Sequence, residues 1–517
     1  MKLSSIFTDC AVFQRGLPIR VFGKGAGNVR VEFLGEVFEQ CFDGSEWLIE
    51  LPAREYGGPY EMKITLDGKE ILLRDLYVGE VWLAGGQSNM EMPLYRVQNG
   101  IEDAEKCDND LIRFFTVPRR AKPDDAVGGW NFAPSDGVDT PWMKCCEHSA
   151  LHFTAIGFYV ARELFRHLGC AVGIISCNWG GKIIEAFIGE EWIKNALFMR
   201  QYYASVRREW DALSESELDA HYDAVRAVLQ LRRDLVIDID EIALTRRLGL
   251  AATSGYPKGT FPTIPSGPYS PNSMSRLYDS MYSRIIPYSI NGILWYQGES
   301  NTAENYLEKY LLYMRCMKES FRNPSLCFYA VELASYGAEQ LSNGNIISNR
   351  FVTGDNWAFK REAQQKATEI ANDNYLVTSM GLGDVFDVHP VNKKDLSHRI
   401  AIKVLKHTYG FDIKADQPIF KKAHFEGNRV ILEIENSDGL FSSNLWGVLM
   451  YVADERRELK KANVSIEDEK IILTCDEISN PILVRYAFDN YYGGTHIYNS
   501  AGLPLQPFRT DCDGEDY

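Results

Sequence analysis

No uninterrupted run of about eighteen uncharged apolar residues occurs in the chain, so no segment reads as a membrane-spanning helix. Positive charge is scarce: 55 Lys and Arg stand against 71 Asp and Glu, a formal net charge of −16. Such a surface repels phosphate backbones and anionic lipid, which sets aside nucleic acid and membrane surfaces as partners. Paired cysteine spacing is missing too. The 11 cysteines are odd in number and scattered, which favours reduced, mostly buried thiols over a disulfide framework. Cys145-Cys146 with His148 is a cluster of metal-binding residue types, but adjacent cysteines rarely reach one tetrahedral ion together. No second Cys or His pair has ligand spacing, so neither metal nor cofactor is expected. The opening MKLSSIFTDCAVF has one lysine, no continuous apolar run and no small-residue cleavage site. By sequence the chain is therefore cytoplasmic, or periplasmic or secreted if a leader has been removed. Oligomeric state is not written in it.

What remains is ordinary for a globular enzyme: 517 residues, 45% apolar and 24% charged, enough for a large core and two to four domains. Residues 1–75 read as an N-terminal β-sandwich or jelly-roll module. Its short runs at Ile19–Phe22, Val29–Phe33, Trp47–Leu51 and Tyr60–Leu66 are separated by Gly and Asp turns. With no row of exposed aromatics, a structural appendage is favoured there over a carbohydrate-binding module. From about Leu76 strands and helices alternate, the mark of a parallel sheet. Phe153–Leu168, Tyr306–Phe321 and a stretch beginning at Asn392 have helical periodicity. The region of about 190–270 interrupts this domain. It begins as a long charged helical insertion, with arginines at 232, 233, 246 and 247 that read as a solvated face, and ends in a Pro- and Gly-rich loop, Gly255–Asn272. From residue 411 to 517 short strands return, and they are expected to complete a sheet with the N-terminal module.

The stretch that organises the chain is VWLAGGQSNMEMPL, Val81–Leu94. An apolar strand runs into Gly85-Gly86 and delivers Gln87 and Ser88 onto a sharp turn at the carboxyl edge of a sheet, where open α/β sheets place their ligands. Serines after a strand ordinarily cap the next helix; here a nucleophile is the competing reading. Three further stretches favour the nucleophile. The strand Val172–Cys177 is followed by Asn178-Trp179-Gly180-Gly181, and Ile290–Tyr296 by Gln297-Gly298-Glu299-Ser300-Asn301. After the strand-like Tyr375–Thr378 comes Asp387-Val388-His389-Pro390.

Serine, glycine, asparagine and Asp/His in this chain order resemble the SGNH hydrolases. Within them, GQSNMEMPL, NWGGKIIEAF, LWYQGESN and DVHPVNK resemble the sialate O-acetylesterase family. The opening LSSIFTDCAVFQRGLPIRVFGKG and the closing AGLPLQPFRTD carry the resemblance across nearly the whole chain. It implies an α/β fold with a doubly wound, flavodoxin-like parallel sheet over residues 76–410, flanked by β-sandwich or jelly-roll segments at both ends. It also implies a serine esterase acting on O-acetylated carbohydrate, sialic acids first. The alternatives are an acetyl-esterase on plant polysaccharide such as acetylated xylan, and a non-catalytic glycan-binding protein. An α/β-hydrolase is disfavoured because Met90 stands where the GxSxG elbow needs its last glycine.

Ester hydrolysis needs a nucleophile, a base and donors for the oxyanion. Ser88 is assigned as nucleophile and His389 as base. The N–H groups of Ser88 and Gly180 and the side-chain amide of Asn301 are the expected oxyanion donors, which matches the SGNH arrangement. The related enzymes usually place their acid three residues before the histidine, where this chain has Phe386. Asp387 leads as the acid because sialate-esterase relatives share its Asp-x-His-Pro form, and Asp384 is the alternative. Lys182 stands where the family commonly has Thr. Trp179 is a candidate sugar contact, and Gln87, Glu185, Gln297 and Glu299 either bind sugar hydroxyls or orient the loops.

Overall fold

The computed structural model describes residues 1–120, 140–234, 263–337, 341–342, 345–346, 357–385 and 387–511. Arg246, Arg247, Phe386 and the first half of the 255–272 loop lie outside them, as do the side chains of Arg232 and Arg233.

The centre is a sheet whose strands run, side by side, Met143–Cys146, Asp108–Thr116, Val172–Asn178, Lys69–Gly86, Gly292–Tyr296, Cys327–Val331 and Asn374–Val377. All neighbouring pairs are parallel except the antiparallel edge strand Met143–Cys146. The inner strands are apolar throughout because both of their faces are covered. Alternate residues point opposite ways. Val81, Leu83, Ile293 and Trp295 thus enter one core with the helix Tyr306–Ser320, through Tyr310, Tyr313 and Met317. Trp82, Ala84, Leu294 and Tyr296 enter a second core with the helices Ala155–Leu168 and Lys393–His407, through Ile156, Val160, Ile400 and Val404. The helix Ala155–Leu168 is capped by the Thr154 side chain and stops at Gly169, whose φ of 64° is the left-handed turn glycine tolerates best. The fold is thus mixed α/β, as expected.

The strand Lys69–Gly86 is 18 residues long and serves two neighbourhoods. Its first half pairs antiparallel with Gly57–Leu66, which in turn pairs with Gly27–Phe33. Its second half enters the central sheet, so the change at residue 75/76 falls inside one strand rather than in a linker. Arg20 donates to the carbonyls of Phe321 and Arg322, and Tyr288 to that of Val12, tying the N-terminal strands to the rest.

The carboxyl-terminal strands do not complete a sheet with the N-terminal ones. Among the described residues they form two four-stranded sheets of their own, around Arg429–Glu435 with Lys470–Thr474 and around Met450–Ala453 with Leu483–Tyr486. Val430, Leu432, Val452, Leu473 and Val484 fill a separate core between them, so their apolar faces are already covered.

Candidate active site

Ser88 lies where the strand Lys69–Gly86 ends. Gly86 has a φ of +134°, and a Cβ there would lie 2.1 Å from the carbonyl oxygen of Tyr296, so only glycine lets the two strands run this close. Gln87 then donates its N–H to the same Tyr296 carbonyl and accepts from the N–H groups of Met90 and Glu91, which turns the chain into the short helix Ser88–Glu91. Gln87, not Ser88, is the N-cap, and Ser88 makes no capping bond. Its hydroxyl is instead the half-exposed point of an otherwise buried turn.

The hydroxyl meets His389, 301 positions later, with 2.7 Å between Ser88 Oγ and His389 Nε2. The loop presenting His389 is held by its own carboxylates. Asp384 Oδ1 takes the Asp387 N–H at 3.0 Å, and Asp387 Oδ1 takes the His389 N–H at 2.8 Å. The same Asp387 oxygen stands 3.7 Å from His389 Nδ1, beyond hydrogen-bond length but close enough to stabilise charge on the ring. Burial pushes the His389 imidazole down to about 3, and the cations of Lys393 and Arg96 push it the same way. The resting ring is therefore neutral, with a lone pair available to the serine.

The expected oxyanion donors are placed less simply. The N–H of Ser88 opens a helix, where the first amides lack intrahelical acceptors. Gly180 does abut the serine, for a Cβ on it would lie 3.1 Å from Ser88 Cβ. Its N–H, however, is already donated to Glu91 Oε2, a correction to its reading as a free donor. Glu91 is held from behind by Arg119, whose Nη2 lies 2.8 Å from Glu91 Oε1 and whose Nε donates to the Asn178 carbonyl. Asn301 gives one amide N–H to Glu185 Oε2 at 2.8 Å, while its Oδ1 accepts from Gln297 Nε2 and from the Ile184 N–H. One N–H of that amide is thus spent within the loops.

The polar residues flanking the motifs fall inward. Gln297 is fully buried, and its amide links Asn301, Gln87 Oε1 and the Lys182 carbonyl. Glu185 closes this network on Lys309 Nζ at 2.9 Å. Gln87, Glu185 and Gln297 are thus hydrogen-bonded within the loops that carry them. Trp179 is buried too, with the Arg119 guanidinium 6.0 Å and the Lys182 ammonium 5.7 Å from its ring. Glu299 accepts from Asn89 Nδ2 at 2.6 Å, and its second oxygen is buried with no partner among the described residues.

Four residues near the site were not singled out by sequence reasoning. Asn89, Glu91 and Lys393 stand inside the recognised motifs, so proximity in sequence was their only signal; Arg119 had none. No group of three His, Cys, Asp or Glu side chains among the described residues is arranged to hold a metal.

A serine hydroxyl on a neutral, buried imidazole suits acyl transfer, and the comparisons indicate a carboxylic ester hydrolase. Residues 264–405 match the model of the carbohydrate esterase family described as sialic acid-specific acetylesterase. The sialate O-acetylesterase of Mus musculus is 25% identical over 500 residues, covering 89% of this chain and 83% of that protein. That of Rattus norvegicus is 26% identical over 270 residues, which span 50% of this chain and 43% of that protein. Among solved structures, a carbohydrate acetylesterase from Xanthomonas citri superposes with a TM-score of 0.75 at 26% identity, over 99% of this chain and 100% of that one. The chain is thus similar to sialate O-acetylesterases over most of its length and matches the carbohydrate esterase family model over residues 264–405.

Proposed function

We propose that this chain is a serine esterase that removes O-acetyl groups from carbohydrate, with O-acetylated sialic acid as its substrate. Ser88 is the nucleophile, His389 the general base and Asp387 the carboxylate behind it. The observation that carries the reading is the 2.7 Å contact between Ser88 Oγ and His389 Nε2. His389 takes the serine proton as Oγ adds to the acetyl carbonyl, then returns it to the departing sugar oxygen; water reverses the sequence and frees acetate. The oxyanion is received by the Ser88 N–H and by the remaining amide N–H of Asn301. In this reading residues 76–410 are an SGNH-type catalytic domain. The parallel order of Val172–Asn178, Lys69–Gly86, Gly292–Tyr296, Cys327–Val331 and Asn374–Val377 supports a flavodoxin-like sheet in this reading. The described strands of residues 1–75 and 411–511 flank it as β segments, and the helices described within residues 190–234 belong to an insertion.

The test is acetate release by the wild-type chain and by Ser88→Ala from p-nitrophenyl acetate, O-acetylated sialic acid and acetylated xylo-oligosaccharide. Ser88→Ala should lose all but residual turnover, a fall of about a million-fold for a lost serine nucleophile, while remaining folded. Near-normal turnover in the folded variant refutes the nucleophile. Turnover of the xylo-oligosaccharide with none of the sialic acid moves the substrate to neutral polysaccharide.

A further inference from the structure

Behind the serine and histidine lies a group of polar residues that the proposed chemistry does not use. Lys393 opens the last helix of the central unit and is 1% exposed, rare for a lysine without a purpose-built partner. Its ammonium donates to Asn89 Oδ1 at 2.6 Å and lies 5.2 Å from the centre of the Tyr296 ring. Asn89 is the residue after Ser88. Its Nδ2 donates to Glu299 Oε1 at 2.6 Å and to the Val388 carbonyl at 2.9 Å, and Val388 is the residue before His389. One amide thus bolts the serine turn to the histidine loop, and one buried cation holds that amide.

We propose that Lys393 and Asn89 form a positioning clamp, in which Asn89 fixes the separation of Ser88 and His389 and Lys393 both locks Asn89 and sets a positive charge behind the imidazole. The proposal rests on the assignment of Ser88 and His389 made above. The charged and titratable groups facing His389 are Asp387 on its own loop, Lys393 on the following helix and Arg96 after the serine helix. Those facing Lys393 are Glu299 and Asp387. Burial lowers the Lys393 ammonium to about 7, so it is charged throughout the acid range in which His389 titrates. A cation there opposes protonation of the ring and keeps it a base at low pH. Above neutrality the amine loses its charge but still donates to Asn89.

The two roles separate in two variants of the full chain, assayed as kcat and KM on p-nitrophenyl acetate across pH. Lys393→Gln retains a donor for Asn89 without the charge, and the acid limb of kcat/KM should move up by about one pH unit. Lys393→Arg should leave the limb where it is. Asn89→Ala keeps the cation and breaks the bolt, so kcat should fall tenfold or more with KM and the limb unmoved. A limb unchanged in Lys393→Gln, or an Asn89→Ala enzyme that loses only KM or nothing, overturns the clamp. If Lys393→Gln does not fold, Asn89→Ala still decides. Ser88→Ala run alongside distinguishes the two failures. Activity surviving in it removes the nucleophile and the clamp with it, whereas a dead Ser88→Ala with an unmoved Lys393→Gln limb removes the clamp alone.

Discussion

The charge of the Asp387 carboxylate has little to act on while the His389 ring is neutral and acts once the ring carries a proton. That makes Asp387→Asn a direct probe of charge that exists only near the transition state. Oδ1 of Asp387 lies 3.7 Å from His389 Nδ1, with side-chain exposures of 16% and 23%. At an effective dielectric constant of about 20, unit charges at that distance attract by about 4.5 kcal/mol. At about 1.4 kcal/mol per decade this is roughly three powers of ten in rate. Solvent screening at partly exposed groups trims it, and the expected loss in kcat is about 100- to 1000-fold. The amide of Asn keeps an oxygen for the His389 N–H, so the loop survives and the loss is electrostatic. Asp384 is exposed and takes the Asp387 N–H on its Oδ1. Asp384→Asn retains that acceptor and should cost less than about tenfold, the size of one weak hydrogen bond. Stopped assays of both purified variants at several pH values decide the matter. A dead Asp384→Asn, or an Asp387→Asn within tenfold of wild type, refutes the reasoning.

Because burial and the two nearby cations lower the His389 imidazole to about 3, the base stays deprotonated as pH falls through 6.5. A kcat/KM profile from pH 3.5 to 8 should therefore hold its activity well below the ordinary histidine range, and an acid limb centred near 6.5 contradicts the burial. Asn301→Ala should lower kcat about a hundredfold or more through the lost oxyanion donor, and also lower Tm, since Glu185, Gln297 and the Ile184 N–H lose a buried partner; a change in KM alone makes it a sugar contact. EDTA should leave turnover unchanged, and loss restored by zinc overturns the serine mechanism.

The parallel sheet was readable because buried strands are written as unbroken apolar runs. Val172–Cys177, Ile290–Tyr296 and Cys327–Val331 were each found within two residues of the strands formed. The strand Glu36–Phe42 was missed, since as an exposed edge strand of sequence EVFEQCF it carries charge where a buried strand has apolar residues. The transition expected at residue 75 is real in composition but invisible as a break, because the strand Lys69–Gly86 crosses it without pause. Partner choice between the two ends was beyond the pattern. Period-two runs say that a strand has a face to bury and nothing about which sheet receives it.

At the site, the pairing of Ser88 with His389 was legible in sequence, whereas the placement of polar residues with several uses was not. A serine after Gly-Gly and a histidine before a proline have few other uses in such places, and their side chains meet. Gln87, Glu185 and Gln297 serve equally well as sugar ligands or loop struts, and only burial separates the two. At 2%, 6% and 0% exposure they are buried, and buried polar groups must find partners inside the protein. They find one another, across loops that follow three different strands. The same rule explains Lys393 and Glu91, which look like surface residues in sequence yet are driven inside as mates for Asn89 and Arg119. The motifs are thus dense in polar residues for two reasons at once. Many of them hold separate loop ends in register, because such a loop has no core of its own to fix it.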